Sequence, residues 1–280
     1  MRVEKTLMTE QPENFKTATG QSVPLDCIVR PHTLMQGDCL QLMFDIPDNS
    51  VDMILCDLPY GTTACKWDTV IPFEPLWTHY KRVIKPTGAI VLFGSQPFTS
   101  ALVMSNVKMF KYCWVWNKKQ QGNHGLAKYQ PLKIHEDILV FGGKNYFPQM
   151  VKGKARKKGG YGMGNSIATG MKEIEPRLSD EYYPKSILEV SNANKKGKLH
   201  PTQKPVALCE YLIRTYTNEG ETVLDNCMGS GTTGVACKNL RRNFIGVELD
   251  PAYFEIARSR IEGYNAELSR PVERSGTGSA

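Results

Sequence analysis

The fold is decided by the stretch Thr222-Val223-Leu224-Asp225-Asn226-Cys227-Met228-Gly229-Ser230-Gly231-Thr232-Thr233. A short apolar run ends at Asp225, a turn with two glycines follows, and a helical pattern begins at Thr232. The next apolar run, Phe244 to Glu248, ends in a second acid nineteen residues after Gly229. A carboxylate at about this distance from a glycine-rich turn is placed to accept hydrogen bonds from ribose hydroxyl groups.

The same turn disfavours two common nucleotide sites. No lysine follows the glycines, as a phosphate-binding P-loop requires. The third glycine of the dinucleotide fingerprint is also missing, because Gly234 stands at the wrong spacing. The pattern therefore favours a ribose-containing ligand of another kind.

On either side of this segment, short apolar runs alternate with amphipathic stretches, which is typical of an α/β sheet with helices on both faces. The predicted strands are Val51 to Leu58, Ala89 to Gly94, Tyr112 to Trp116, Ile138 to Phe141, Thr222 to Asp225 and Phe244 to Glu248. The predicted helices are Glu74 to Lys85, Pro205 to Thr217, Thr232 to Leu240 and Pro251 to Tyr264.

Composition limits the class of protein. The 280 residues, 41% of them hydrophobic, are enough for one sizeable core with an insertion, or for two domains. Neither a membrane-spanning run nor an N-terminal signal peptide is present, so we expect a cytoplasmic protein. The eight cysteines lack zinc-finger spacing and are expected to be reduced and mostly buried, and the five scattered histidines predict no metal site.

Positive charge is concentrated in one segment. From Lys144 to Lys204 there are thirteen Lys or Arg and five acids, so this segment has a net charge of +8. The rest of the chain sums to −1, which gives the net charge of +7 for the whole chain. Such a cluster is expected for contact with a polyanion, although a solvated loop remains an alternative. We expect residues 144–199 to be an insertion with little regular structure, and the candidate contacts in it are Lys152, Lys154, Arg156, Lys157, Lys158, Lys195, Lys196 and Lys198.

A second loop, Asp57-Leu58-Pro59-Tyr60-Gly61, follows the first predicted strand. Ligands of open α/β sheets bind beyond the carboxyl ends of strands, so an acid, a proline and an aromatic residue there are well placed for function. Taken alone the tetrapeptide is a weak signal, and an ordinary turn with a packed tyrosine is the alternative.

Together the motifs resemble those of the DNA amino-methyltransferases, specifically the circularly permuted beta group. That group has a catalytic Asp-Pro-Pro-Tyr loop, then a target-recognition insertion, then the cofactor half. Here Asp57-Leu58-Pro59-Tyr60, the basic insertion, His200-Pro201-Thr202-Gln203-Lys204-Pro205, the glycine loop and Phe244 to Glu248 follow in that order, and Gly37-Asp38 precedes them. The resemblance covers about Thr33 to Arg260. Leu58 departs from the usual first proline, and Asn226-Cys227 departs from the usual Pro-Phe.

The resemblance implies a Rossmann-like mixed α/β sheet, circularly permuted, with a basic target-recognition insertion. It divides the chain into a peripheral segment (1–32), a catalytic half (33–143), the insertion (144–199), a cofactor-binding half (200–265) and a tail (266–280). It also implies S-adenosylmethionine as cofactor, with Asp225 and Gly229 at its methionine end, Glu248 at the ribose and Asp38 at the adenine. The complete implied cofactor set is Asp38, Asp57, His200, Thr202, Lys204, Asp225, Cys227, Gly229, Ser230, Gly231 and Glu248.

The implied reaction is methylation of the N6 amino group of a flipped-out adenine in double-stranded DNA. Asp57 and the Pro59 carbonyl would accept the amino hydrogens, and Tyr60 would stack on the base. A covalent route through cytosine C5 is disfavoured because no proline precedes a cysteine. Four alternatives stay open: cytosine N4 methylation, RNA methylation, protein-glutamine methylation and an inactive DNA-binding regulator. The resemblance also leaves a second copy of the chain and a restriction endonuclease open as partners.

Overall fold

The computed structural model describes residues 14–16, 22–24, 32–62, 68–158, 177–192 and 203–263. The strands are β1 (Asn14–Lys16), β2 (Ser22–Pro24), β3 (His32–Gln36), β4 (Val51–Cys56), β5 (Ile84–Gly94), β6 (Phe110–Gly122), β7 (Lys133–Gly142), β8 (Val151–Lys158), β9 (Arg177–Tyr182), β10 (Ile187–Glu189), β11 (Thr222–Asp225) and β12 (Asn243–Glu248). The α-helices are α1 (Cys39–Leu42), α2 (Phe73–Val83), α3 (Phe98–Ser105), α4 (Val206–Tyr216), α5 (Thr232–Asn239) and α6 (Pro251–Glu262).

Eight of the described strands form one sheet in the order β10-β6-β7-β5-β4-β11-β12-β3. Within it β7 pairs antiparallel with both of its neighbours, and the other pairs are parallel. The predicted Rossmann-like mixed sheet is therefore confirmed. The pairs β1–β2 and β8–β9 are separate antiparallel ribbons.

Hydrophobic side chains cover both faces of this sheet. β4 is buried at all six positions, as expected for a central parallel strand with helices on each side. On one face the sheet packs against α4, α5 and α6 through residues such as Leu212 and Ile261. On the other face it packs against α2 and α3 through residues such as Tyr80 and Leu102. The prediction of helices on both faces is confirmed.

Helix boundaries follow local chemistry. Asp250 caps α6 by accepting hydrogen bonds from the backbone N–H groups of Ala252 and Tyr253, at 2.8 and 3.1 Å, and Pro251 occupies the first turn. The helix ends at Gly263, whose φ of 72° is the left-handed conformation that glycine adopts readily. No helix among the described residues is long and apolar enough to cross a membrane.

The order of the strands positions the two predicted loops side by side. From the neighbouring strands β4 and β11 the chain continues in opposite directions across the sheet, through β5 on one side and β12 on the other. This is a topological switch point, where loops diverge and leave a crevice at the carboxyl edge. Asp57 follows β4 and the glycine loop follows β11, so both enter that crevice.

The expectation of little regular structure in the insertion is wrong for its described part. β8 and β9 form an antiparallel ribbon, and β10 extends the main sheet by pairing with β6. The alternation of charged and uncharged residues in Lys152 to Lys158 is compatible with an exposed strand, but the high lysine content hid it. The glycine-rich part, residues 161–170, lies outside the described residues, and β3 and α3 were not predicted at all.

Candidate active site

One cavity of about 570 Å³ opens at the carboxyl edge of the sheet. Its wall is formed by residues of the loop after β4, the glycine loop, β6, β7 and the start of α4. The predicted residues that line it are Asp38, Asp57, Pro59, Tyr60, Lys204, Asp225, Cys227, Gly229, Ser230 and Glu248. Segments far apart in the sequence thus share a single cavity.

The loop after β4 is held in place by hydrogen bonds at both of its ends. The Tyr60 hydroxyl donates to Asp57 Oδ1 at 2.7 Å. The Asp68 carboxylate accepts the backbone N–H groups of Gly61 and Thr62, each at 2.9 Å. Burial, together with the charge of Asp57, raises the pKa of Tyr60 well above its usual value, so its hydroxyl remains a donor. The loop is therefore a fixed support for the Asp57 carboxylate.

A buried ion-pair network joins this loop to the start of α4. The Lys204 ammonium pairs with Asp57 Oδ2 and lies 3.5 Å from Glu136 Oε2, while Lys118 Nζ donates to Glu136 Oε1 at 3.0 Å. Burial alone would lower the pKa of Lys204, but Asp57 and Glu136 raise it above its ordinary value. Burial alone would raise the pKa of Glu136, but Lys204 and Lys118 lower it. Lys204 and Glu136 are consequently both charged near neutral pH.

This network gives Lys204 a partner that the sequence did not predict, and it adds two residues to the site. Sequence reasoning placed Lys204 with the cofactor; its ammonium lines the cavity and pairs with Asp57, the predicted catalytic acid. Lys118 and Glu136 also line the cavity but were not predicted. The predicted strand began at Ile138, although β7 begins at Lys133 and so carries Glu136 to the cavity wall. A predicted β7 that extended back to Lys133 would have identified Glu136 as a residue of the cavity wall.

Asp225 anchors the glycine loop from inside the protein. Its Oδ1 accepts the backbone N–H of Cys227 at 3.1 Å, and its Oδ2 accepts the Thr233 hydroxyl at 2.6 Å. Burial raises the pKa of Asp225 to about 6, although these hydrogen bonds oppose the rise. Its charge therefore changes close to the physiological range.

Glu248 fixes the opposite side of the glycine loop. Its Oε2 accepts the backbone N–H of Gly229 at 2.8 Å, and its Oε1 accepts that of Asp250 at 2.9 Å. A carboxylate has about four lone-pair sites, so Glu248 retains acceptor capacity besides these bonds, and it lines the cavity. Burial raises the pKa of Glu248 above its usual value.

Three residues depart from the usual motifs of the family: Leu58, Asn226 and Cys227. All three fill interior space. Leu58 is buried in the core between the sheet and α2. The Asn226 side chain accepts a hydrogen bond from the Tyr80 hydroxyl at 2.6 Å and contacts the thiols of Cys39 and Cys227 at 3.5 Å. Of the six described cysteines, four are buried and two are half-buried, and all six are free, as expected.

Several predicted positions lie elsewhere or outside the described residues. Gly231 begins α5 with a φ of 78°, and a Cβ there would meet Ala257 at 2.9 Å, so it serves backbone geometry and packing. Asp38 lines the cavity and also caps α1, accepting the N–H of Leu40 at 2.7 Å. The residues outside the described part are His200, Thr202, Lys195, Lys196 and Lys198.

The predicted DNA contacts that the structure describes lie on the β8–β9 ribbon. Lys152, Lys154, Arg156 and Lys157 are exposed on β8, and Lys158 ends that strand. The Arg156 guanidinium lies over the ring of Tyr182, 4.4 Å from its centroid. The ribbon thus presents a row of cations to solvent.

Comparison with known proteins decides the family. A sequence model described as DNA methylase matches residues 51–259, which is most of the chain. The chain belongs to the DNA methylase family. It is 29% identical over 254 residues to the type II methyltransferase M.HpaI of Haemophilus parainfluenzae, covering 82% of this chain and 74% of that protein. It is also 29% identical over 261 residues to M2.DpnII of Streptococcus pneumoniae, covering 83% and 90%.

Solved structures agree with this placement in the DNA methylase family. The complex of M1.HpyAVI with S-adenosylmethionine is 27% identical, covers 82% of this chain and 99% of that chain, and superposes with a TM-score of 0.56. The cytosine-N4-specific PvuII DNA methyltransferase is 16% identical, with coverage of 85% and 90% and a TM-score of 0.62, and shares the fold. The expected resemblance to DNA amino-methyltransferases is confirmed.

S-adenosylmethionine is the cofactor of this DNA methylase. The wall of the cavity fits a cationic ligand, because Asp38, Asp57, Asp225 and Glu248 all line it and Lys204 is already paired with Asp57. By the resemblance, Glu248 would accept hydrogen bonds from the ribose hydroxyl groups and Asp225 would pair with the ammonium group. Cys227, which departs from the usual phenylalanine, is half-buried and lines the cavity.

Cofactor binding should weaken as the pH falls through about 6, the value to which burial raises the pKa of Asp225. Below that value its carboxyl group is neutral and no longer attracts the ammonium group of the methionine moiety. The dissociation constant should rise by up to about tenfold per pH unit, since binding requires loss of one proton. Isothermal titration calorimetry from pH 5 to 8 measures this.

The matched variant for that measurement is Asp225→Asn, which stays uncharged at every pH. It should bind the cofactor weakly and with little pH dependence. A wild-type dissociation constant that is constant from pH 5 to 8 would contradict a role for Asp225 in cofactor binding.

Proposed function

We propose that this DNA methylase transfers a methyl group to the N6 amino group of adenine in a base flipped out of the DNA duplex. The observation that carries the proposal is the position of Asp57. Its carboxylate is fixed by Tyr60 and Lys204, and it lines the same cavity as the cofactor carboxylates Asp225 and Glu248. A hydrogen-bond acceptor thus stands where an amino group and a methyl donor would meet.

The chemical task is to localise the lone pair of an amino group that is delocalised into the base. Asp57 would accept one amino hydrogen and the Pro59 carbonyl the other, which directs the lone pair toward the methyl group. Bound S-adenosylmethionine supplies that methyl group as an electrophile on a sulfonium. Asp57 is then placed to accept the proton that the methylated amino group releases. Lys204 holds Asp57 Oδ2 and the Tyr60 hydroxyl holds Oδ1, and each oxygen has a second lone pair that would accept the amino hydrogen.

Tyr60 would form one side of the base pocket. Its ring stacks on Phe98 with centroids 5.0 Å apart and an angle of 25° between planes, so its orientation is fixed before substrate binds. The cavity-lining part of the ring is available to a flipped base, and such stacking contributes roughly 1–3 kcal/mol per base. Base flipping brings the target atom to a pocket that an intact duplex cannot enter.

Adenine is favoured over cytosine by the acid at the first loop position. The family uses aspartate there more often for adenine and serine more often for cytosine, and this chain has Asp57. The decisive experiment is incubation of the enzyme with labelled cofactor and DNA, RNA or protein, followed by nucleoside analysis. N6-methyladenine in DNA alone supports the proposal. N4-methylcytosine in DNA, or label in RNA or protein, overturns it, and long-read sequencing of DNA from expressing cells identifies the site.

We further infer that residues 144–199 are the target-recognition insertion, between a catalytic half (33–143) and a cofactor-binding half (200–265). The exposed cations of β8 support this because phosphate neutralisation supplies most of the nonspecific binding energy to DNA. A second copy of the chain and a restriction endonuclease remain the proposed partners besides double-stranded DNA.

Neutralising Lys154, Arg156, Lys157 and Lys158 should weaken DNA binding and flatten its salt dependence, while cofactor affinity stays unchanged. Each residue that faces a phosphate should reduce the magnitude of the salt slope by about one. Fluorescence anisotropy with duplex DNA at several salt concentrations measures the slope.

A matched control removes three exposed cations from the opposite, amino edge of the sheet: Lys81, Lys108 and Arg241. This variant should retain the wild-type slope. If the insertion variant keeps it as well, the insertion does not contact DNA.

A further inference from the structure

The outer end of β6 and the turn that leads to β7, together residues 119–132, form a second basic surface outside the insertion. Residues 118–135 contain four lysines and no acidic residue. Lys119, Lys128 and Lys133 are among them, and His124 and His135 add two further donors. The net charge of a longer segment does not reveal this cluster, because acidic residues elsewhere in the segment cancel its positive charge. We call residues 119–132 the β6–β7 tip.

The β6–β7 tip extends beyond the wall of the cavity. Trp116 and Lys118 of β6 and Glu136 of β7 line the cavity, and the two strands remain paired outward to Gly122 and Lys133. β6 runs parallel to the central strands, so the tip projects from the carboxyl edge, where the catalytic loop also lies. A duplex that delivers a flipped base into this cavity must cross the same edge.

Tyr129 is the most exposed large hydrophobic side chain among the described residues, with 85% of its surface accessible. Its backbone is nevertheless fixed, since its N–H donates to the Leu126 carbonyl at 2.9 Å, directly after a 3-10 turn at His124–Leu126. Within the described ranges, neither the Tyr129 ring nor the Lys128 ammonium has a side-chain partner. An exposed aromatic ring on a fixed backbone, beside an unpaired lysine, is the combination that binds nucleic-acid bases and phosphates.

The other lysine of the tip, Lys119, is only weakly held. Lys119 pairs with Glu189 at 3.0 Å, but both side chains are about half exposed, and such surface pairs contribute little free energy. Lys119 can therefore exchange Glu189 for a DNA phosphate with little loss of free energy. The charge of the tip complements DNA, and no acid within residues 118–135 opposes it.

We infer that the β6–β7 tip is a second DNA-contacting element, separate from the insertion. Tyr129 stacks against a base beside the flipped nucleotide, and Lys119 and Lys128 contact the flanking phosphates. The inference rests on the proposed function, because it places the duplex across the carboxyl edge of the sheet. It adds a DNA contact beside the part of the cavity wall that β6 and β7 form. The β8–β9 ribbon does not contribute to that wall.

The test compares Tyr129→Ala with Tyr129→Phe, which keeps the aromatic face. The probe is a duplex that carries the site identified by long-read sequencing, with 2-aminopurine at the target position. Tyr129→Ala should bind it roughly tenfold more weakly and show a smaller rise in fluorescence, whereas Tyr129→Phe should resemble the wild type. Lys128→Ala should reduce the magnitude of the salt slope by about one.

Controls at the opposite edge of the sheet are Met104→Ala for the exposed apolar side chain and Lys108→Ala for the cation. Both should bind DNA like the wild type, and every variant should keep wild-type cofactor affinity. If the wild type methylates DNA but Tyr129→Ala and Lys128→Ala match these controls, the tip inference is wrong and the proposed function stands. If the wild type transfers no methyl group to DNA, the proposed function fails and the inference fails with it.

Discussion

Replacing Asp57 by alanine should lower the rate of methyl transfer about a hundredfold or more while DNA and cofactor affinities change far less. The carboxylate would orient the amino group mainly in the transition state, so its loss affects turnover more than binding. The magnitude follows from the effect of removing one preorganised hydrogen-bonding group at a developing charge. Single-turnover transfer with both ligands saturating, beside separate affinity measurements, distinguishes the two effects.

Two further variants control for indirect effects of the Asp57 change. Asp48→Ala removes an exposed acid just before β4, at the opposite end of the same strand, and should leave the rate unchanged. Tyr60→Phe removes the hydroxyl that donates to Asp57 but keeps the ring, so its loss should be smaller than that of Asp57→Ala. Because Asp57→Ala also leaves Lys204 with Glu136 as its remaining carboxylate partner, thermal melting must accompany the kinetics. Wild-type transfer by Asp57→Ala would show that the loop is an ordinary turn.

Replacing Glu248 by alanine should weaken S-adenosylmethionine binding by roughly 1.5–3 kcal/mol, the usual range for hydrogen bonds to a charged group. This corresponds to a loss of about ten- to a hundredfold in affinity. Two effects add, because the carboxylate would hold the ribose hydroxyl groups and already holds the backbone N–H of Gly229. Calorimetric titration of the cofactor measures the loss.

Glu248→Gln separates these effects, since it keeps an acceptor oxygen but loses the charge, and its loss should be intermediate. The matched control is Glu219→Ala, an exposed acid before β11 at the amino edge, which should bind the cofactor normally. Wild-type cofactor affinity in Glu248→Ala would place the ribose site elsewhere.

The order of the loops and the class of fold were predictable because their signals are local. Six predicted strands match six observed strands, and all four predicted helices are present with shifted ends. Burial on both faces produces continuous apolar runs such as β4, and a glycine-rich turn after a strand has few structural uses. The resemblance to DNA amino-methyltransferases then supplied the cofactor, which side-chain periodicity alone does not identify.

Local sequence patterns were therefore enough to predict an α/β sheet with Asp57 and the glycine loop at strand ends, since hydrophobic periodicity and turn chemistry act over a few residues. The methyltransferase function was implied by the resemblance. The tertiary structure decided which charges meet. Lys204 reaches Asp57 across 147 residues of sequence, and Glu136 joins them from β7. Those neighbours depend on the order of strands in the sheet and on the lengths of β6 and β7, and no local pattern encodes either. For the same reason the sequence did not predict the exposed Tyr129, whose position follows from the extension of the β6–β7 tip past the cavity.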